Sequence, residues 1–115
     1  NEENVKDVRA GMVLEAANAP TTPKADEILH QRGVVVLPDI FVNAGGVTVS
    51  YFEWAQNIQQ FTWDEERITN ELGRHMREAY ATLSRLVRER KVSFRTAAFI
   101  VAIGRVGRAT VLRGV

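Results

Sequence analysis

Two short apolar runs stand in the first third of the chain, each preceded by a glycine. They are Met12–Leu14 and residues 34–37. The first run is too short for a helix and suits a buried strand. The second does not alternate with polar residues, which is typical of a strand covered on both faces. Between them, Thr22 and Pro23 are an N-cap and a first-turn proline for a helix of about ten residues. This order predicts a βαβ unit with a parallel sheet.

The first ten residues are polar and helix-compatible. Gly11 follows them, at a point where helices commonly end in a left-handed residue. We therefore expect the tail of a helix here. The chain does not begin with methionine, and two strands alone cannot make a stable sheet. Both observations lead us to expect a portion of a longer chain.

Beyond Asp39 the apolar spacing becomes helical. Aromatic and aliphatic residues recur at helical intervals from the Gly45-Gly46 pair to Ile58. Thr62-Trp63-Asp64-Glu65 is typical of a capping box that begins a long amphipathic helix. Ser93 is the expected cap of a last helix, from Phe94 to about Leu112, whose apolar run predicts burial on most sides. The predicted fold class is α/β, one βαβ unit followed by three C-terminal helices.

Composition excludes several classes of function. The 115 residues include 15 basic and 14 acidic side chains and no cysteine. A net charge of +1 creates no field for nucleic acid or an anionic membrane surface, and no apolar stretch reaches the roughly 18 residues of a membrane span. His30 and His75 stand far apart, so no metal site is predicted. Arg95 and the other arginines of the last helix are spread among few aromatics, unlike a nucleic-acid surface. We expect a cytoplasmic protein.

Two loops follow the two predicted strands and carry the candidate chemistry. They span residues 15–23 and 38–46, and they present Asn18 and Asn43. In parallel sheets, ligands bind at the carboxyl ends of strands, near the free N–H groups of the next helix. Asn43 offers both a donor and an acceptor, which suits a carboxamide. The alternatives are a turn with an Asx-type hydrogen bond and a helix cap for the first loop, and a permissive glycine pair for the second.

Ser50 lies within two turns of Asn43 on the predicted helix. Its hydroxyl has two possible roles: to bind a polar group of a substrate, or to bond back to the carbonyl four residues earlier. The second is the commoner role for a helical serine.

At this point the sequence resembles a known family. The block Glu15-Ala-Ala-Asn-Ala-Pro-Thr-Thr-Pro23, the block Pro38-Asp-Ile-Phe-Val-Asn-Ala-Gly-Gly46 and the segment 47–54 follow one another as they do in glutamate dehydrogenases, within the glutamate/leucine/phenylalanine/valine dehydrogenase superfamily. The ending of the chain, from Phe94 onward, is similar too. The resemblance implies that residues 1–42 are the C-terminal part of a Rossmann-like dinucleotide-binding domain. Residues 43–115 would be a pivot helix and the C-terminal helices.

The resemblance also implies roles for four residues. Asn18 and Asn43 would border the nicotinamide and its ribose in NAD or NADP. Val47 and Ser50 would line the pocket for the glutamate side chain, with the serine hydroxyl bonded to the γ-carboxylate. Leucine, phenylalanine and valine dehydrogenases keep the Asn-Ala-Gly-Gly turn but present apolar groups there, so the serine favours glutamate.

The implied activity is oxidative deamination of L-glutamate to 2-oxoglutarate and ammonia. The family's catalytic lysine and aspartate belong to an N-terminal part of the enzyme outside these residues, so no catalytic residue is assigned and the chain alone is expected to be inactive. A homo-oligomer, a hexamer in the family, is implied as well. The alternative is a non-catalytic α/β fragment that binds a partner through its exposed sheet edge and helices.

Overall fold

A computed structural model describes residues 1–114 as a two-stranded parallel sheet followed by helices. A short 3-10 helix, Val5–Asp7, comes first. The other elements are β1 (Met12–Leu14), α1 (Pro23–Gln31), β2 (Val35–Leu37), α2 (Asp39–Val42), α3 (Ala44–Gln59), α4 (Glu65–Arg90) and α5 (Phe94–Leu112). The predicted α/β class, a βαβ unit followed by C-terminal helices, is confirmed. The short helix α2 was not predicted.

The βαβ unit forms the first core. Met12 pairs with Val35 and Leu14 with Leu37 across the parallel strands. The Thr22 hydroxyl accepts the Ala25 N–H at 3.3 Å, which confirms Thr22 as the cap of α1. Ala25 and Leu29 lie one turn apart and face the sheet. They are buried in a cluster whose other buried members are Val5, Val34 and Val36.

The second core joins α4 to α5. Leu83 packs against Ala97 and Ala98, and these small side chains let the two helices approach closely. The Ser93 hydroxyl accepts the Thr96 N–H at 3.1 Å, so the predicted cap and start of α5 are confirmed.

The predicted cap of α4 is wrong by two residues. The Asp64 carboxylate accepts the Arg67 N–H at 2.7 Å, and α4 begins at Glu65. A carboxylate at this position also interacts favourably with the positive end of the helix dipole, which a threonine hydroxyl does not. Asp64 therefore displaces Thr62 as the cap.

The predicted N-terminal helix is also wrong. Only Val5–Asp7 is helical, and Gly11 does not adopt a left-handed conformation. The Arg32 guanidinium donates to the carbonyl oxygens of Val5 and Val8, each at 2.6 Å. These tertiary bonds take up carbonyl groups that a continued helix would need.

The predicted burial is not observed for β1, for Val35 of β2, which is 37% exposed, or for most of α5. Met12 and Leu14 are 51% and 59% exposed, and Ile103 is 68% exposed. The buried residues of α5 are Ala97 and Ala98, both in its first turns. Among residues 1–114, no element covers the remaining faces, so the apolar pattern exceeds the burial that this chain provides.

Gly104 and Gly107 lie on the open part of α5, and a Cβ at either would meet nothing within 4 Å. We expect Gly104→Ala and Gly107→Ala each to stabilise α5 by about 1 kcal/mol, because alanine loses less backbone entropy in a helix. Native-state amide hydrogen exchange of α5 would measure this. Gly33→Ala is the matched control and should destabilise, because Gly33 has a φ of +75°. Unchanged exchange in both α5 variants would contradict the prediction.

Candidate functional site

The two loops predicted to carry the chemistry meet at the carboxyl ends of β1 and β2. Three hydrogen bonds tie them together across at least 20 residues of sequence. The Asn43 side-chain amide donates to Asn18 Oδ1 at 2.6 Å. The Ala19 N–H donates to Asp39 Oδ2 at 2.7 Å, and the Asp39 N–H donates to Glu15 Oε2 at 3.0 Å. The predicted convergence of Asn18 and Asn43 is therefore observed.

The Asn43 side chain bonds to Asn18 and does not cap α3. Asn43 occupies the N-cap position of α3, yet its side chain makes no capping bond. Instead it is committed to Asn18. Within the described residues, the side-chain N–H groups of Asn18 and Oδ1 of Asn43 enter no hydrogen bond, so the pair keeps an unbonded donor and an unbonded acceptor.

Ala19, next to this pair, has an unusual backbone. Its φ is +46°, and a proline follows it. The left-handed region costs a non-glycine residue about 1 to 2 kcal/mol, and a following proline favours extended conformations instead. The bond from its N–H to Asp39 helps to hold this conformation.

Arg95, in the first turn of α5, contacts three carboxylates: Glu15 and Asp39 in the two loops, and Asp26 in the first turn of α1. Its Nε lies 2.8 Å from Asp26 Oδ2, its Nη2 lies 2.7 Å from Glu15 Oε1, and its Nη1 lies 3.6 Å from Asp39 Oδ1. The Glu15 side chain is only 1% exposed and that of Arg95 is 23% exposed. We call these four residues the Arg95 cluster. It fixes the start of α5 against both loops.

The electrostatics of the Arg95 cluster follow from these contacts. Hydrogen bonding to Asp26, and then to Glu15, raises the pKa of the Arg95 guanidinium. The pKa of Asp39 is lowered, first by the bond from the Ala19 N–H and further by the Ile40 N–H and by Arg95. A cation in the first turn of a helix interacts unfavourably with the helix dipole. The three carboxylates therefore account for the position of Arg95 in the first turn of α5.

The residues predicted to bind substrate lie on an exposed face of α3. Val47 is 70% exposed, and Ser50 is exposed one turn further along. Tyr51 and Trp54 continue this face, with their ring centroids 5.6 Å apart. The Ser50 hydroxyl donates to the Gly46 carbonyl at 3.2 Å, which is the back-bond expected of a helical serine.

Sequence reasoning missed the Arg95 cluster. Arg95 stood out only as one of several scattered arginines, and Glu15, Asp26 and Asp39 carried no assigned role. Two signals were present in the sequence. One was an arginine just after a helix cap, where a cation is unfavourable. The other was an acidic residue, Glu15 or Asp39, within two positions of the end of each apolar strand.

Other kinds of site find no support in residues 1–114. No three histidine, cysteine, aspartate or glutamate side chains in this part come together as metal ligands. His75 instead packs beside the Phe52 ring, with centroids 5.7 Å apart. None of the described helices has the length and apolar character needed to cross a membrane.

Comparison with known proteins identifies the family of this chain. Residues 1–114 match the family described as Glutamate/Leucine/Phenylalanine/Valine dehydrogenase. The chain belongs to this family. The resemblance inferred from the loop sequences is thereby confirmed.

Three relatives that match this chain are glutamate dehydrogenases. A glutamate dehydrogenase from Thermotoga maritima is 50% identical over 112 residues, which are 97% of this chain and 27% of that protein. The crystal structure of glutamate dehydrogenase from Peptoniphilus asaccharolyticus matches 99% of this chain with a TM-score of 0.91 and 38% identity. The leucine-bound hetero-hexameric enzyme from Thermus thermophilus matches all of it with a TM-score of 0.95 and 30% identity. This chain covers 29% and 28% of those two structures, so it spans about a quarter of the length of its relatives.

The Arg95 cluster should contribute strongly to the stability of this family member. Arg95→Met would leave the buried Glu15 without its cation. We expect a loss of about 2 to 3 kcal/mol in the free energy of unfolding, below the usual cost for a fully buried pair because Arg95 is 23% exposed. Urea denaturation measures it. Arg74→Met is the matched control, because Arg74 is likewise an arginine paired with carboxylates, here two, but on the surface of α4; it should have little effect. Equal losses in both variants would contradict the prediction.

Asp39 should also make the stability depend on pH. Its pKa is lowered from 3.8 in the folded chain, so its stabilising effect is fully present above that value and is lost as the pH falls through the folded pKa. We expect the unsubstituted chain to exceed Asp39→Asn in stability by a constant margin above about pH 5, and the margin to shrink below about pH 4. Denaturation from pH 7 to pH 3 tests this. A margin that does not change across the series would contradict it.

Proposed function

We propose that this chain forms part of the nicotinamide and glutamate pockets of an NAD(P)-dependent glutamate dehydrogenase. The whole enzyme would catalyse oxidative deamination of L-glutamate to 2-oxoglutarate and ammonia. The observation that carries the proposal is the hydrogen-bonded pair of Asn18 and Asn43 at the carboxyl edge of the sheet. Membership of the dehydrogenase family supports it.

The residues at this edge fit a nicotinamide. Its carboxamide has one acceptor oxygen and two donor hydrogens, and the asparagine pair leaves a complementary donor and acceptor unbonded. A Cβ at Gly46 would meet nothing within 4 Å. Contacts within the chain therefore do not require a glycine there, and its absence of a side chain suits the close approach of a ligand. When bound, the nicotinamide would accept a hydride from the α-carbon of glutamate.

The exposed face of α3 fits the glutamate side chain. Val47 would contact its methylene groups, and Ser50 would donate to its γ-carboxylate. Rotation about χ1 moves a serine hydroxyl between staggered positions, so Ser50 can exchange its bond to Gly46 for one to a substrate. A hydroxyl suits glutamate better than an apolar amino acid, because a bond to a charged group is worth about 1.5 to 3 kcal/mol.

The proposal assigns no proton transfer to this chain. The acid and base would come from an N-terminal part of the same polypeptide, so the 115 residues alone should be inactive. We also propose that residues 1–42 complete the dinucleotide-binding domain and residues 43–115 form the pivot and C-terminal helices. Assembly would be homo-oligomeric, hexameric by analogy with the family, in the cytoplasm.

A second candidate function is a non-catalytic module that binds a partner. It is favoured by the exposed apolar side chains of β1 and α3, such as Leu14 and Trp54. The same surface is expected where the rest of an enzyme packs. A binding module would have no need for the bonded asparagine pair, which supports the enzyme instead.

The test is a chimera in which these 115 residues replace the matching segment of the Thermotoga maritima protein. We expect glutamate-dependent reduction of NAD⁺ or NADP⁺. Ser50→Ala should raise the KM for glutamate at least tenfold, because about 1.5 kcal/mol or more of binding to a charged group is lost.

Thr48→Ala is the matched control. Thr48 lies on the same helix and makes the same kind of back-bond, to the Ala44 carbonyl at 2.8 Å, but it is half-buried and does not share the exposed face. Its KM for glutamate should be unchanged. An inactive chimera, or a Ser50→Ala variant with an unaltered KM, would contradict the proposal.

A further inference from the structure

The geometry points to Asp39 as a positioning residue for the asparagine pair, with Arg95 as its support. The inference rests on the proposed function, because it assigns Asp39 the task of setting the dinucleotide-facing amides in place. Asp39 itself would touch neither the dinucleotide nor glutamate.

Asp39 bonds to the first loop through both its backbone and its side chain. Its backbone N–H donates to the buried Glu15, and its carboxylate accepts the Ala19 N–H. Asn18 immediately precedes Ala19, and Asn43 follows Asp39 by one helical turn. The bond between the two asparagines thus closes a ring whose opposite side is held by Asp39.

The bond from the Ala19 N–H to the Asp39 carboxylate is important because of the backbone conformation of Ala19. A φ of +46° before a proline is unfavourable for alanine. Without the Asp39 acceptor, the loop would relax toward extended backbone and turn the Asn18 side chain away from Asn43. A charged acceptor at 2.7 Å is strong enough to oppose that relaxation.

Arg95 holds the Asp39 carboxylate from the opposite side. Its Nη1 lies 3.6 Å from Asp39 Oδ1, while Nε and Nη2 are bound by Asp26 and Glu15. The guanidinium is planar and is fixed by those two carboxylates, so its third contact has a defined direction. The position of α5 is thereby coupled to the asparagine pair through Asp39.

The first arm of the test is NMR of the 115-residue chain. The Ala19 amide and the Asn43 side-chain amide should show the downfield shifts of hydrogen-bonded groups. In Asp39→Ala both should move to values of unbonded amides, and exchange of the Ala19 amide should accelerate at least tenfold. In Asp39→Asn, whose side chain keeps one acceptor, the changes should be smaller. Signals that do not move in either variant would overturn the inference.

The second arm is steady-state kinetics of the chimera. Asp39→Ala should raise the KM for the dinucleotide about tenfold, since small displacements of positioning groups have large effects, with a smaller change in kcat. Asp39→Asn should restore part of the loss, and Arg95→Met should change the KM in the same direction. A purely structural role lowers the fraction of folded enzyme, which lowers apparent kcat and leaves the KM unchanged. That pattern would overturn the inference.

Glu78→Gln and Arg74→Met are matched controls, because they break the surface pair of α4 with the same changes of charge. Both should leave the NMR signals and the KM unaltered; a tenfold KM change in them would overturn the inference by showing that net charge suffices. If the unsubstituted chimera is inactive, the proposed function fails and Asp39 loses its role in dinucleotide binding. The NMR arm would still separate that outcome from a failure of the coupling between Asp39 and the asparagine pair.

Discussion

One guanidinium group, that of Arg95, joins the last helix to the edge of the sheet, and the arrangement of the candidate site depends on it. Three carboxylates surround this single cation. The excess negative charge is offset by backbone N–H groups, since Asp39 accepts from Ala19 and Ile40 and Glu15 accepts from the Asp39 amide. Buried charge is tolerated only with such hydrogen bonding. The apolar contacts form two separate clusters, one around α1 and the sheet and one between α4 and α5, and the Arg95 cluster is a polar connection between them.

The features that sequence predicted well are those determined by near neighbours. Thr22 and Ser93 cap their helices as expected, because a cap bonds to an amide only three residues away. The Arg95 cluster joins residues up to 80 positions apart, and no local pattern encodes such a contact. The two loops fall between these cases. Their position at one sheet edge follows from the parallel topology, whereas the bond between Asn18 and Asn43 required the structure.

The errors in predicted burial have a common cause. An apolar run such as Met12–Leu14 or the middle of α5 indicates that its side chains are covered in the folded protein. The residues that cover them need not lie within the same 115 residues. Leu14 and Ile103 are more than half exposed here, which fits a chain that covers 27% of a relative's length. Hydrophobic periodicity therefore predicted the two strands and the long helices α3, α4 and α5 correctly, and the degree of burial incorrectly.

The candidate site combines a fixed part and a less constrained part, and Asn43 is where they meet. Asn43 is at once the C-cap of α2 and the N-cap of α3. Its side chain is held by Asn18, so the start of α3 is anchored to the sheet edge. The next turn contains Gly45 and Gly46, which restrain the helix least. Ser50 lies beyond them on an exposed face. A displacement of α3 about this junction would therefore move Val47 and Ser50, the residues proposed to contact glutamate, relative to the Asn18 amide. The proposed substrate contacts and the proposed dinucleotide contacts would then be positioned separately within a single short segment.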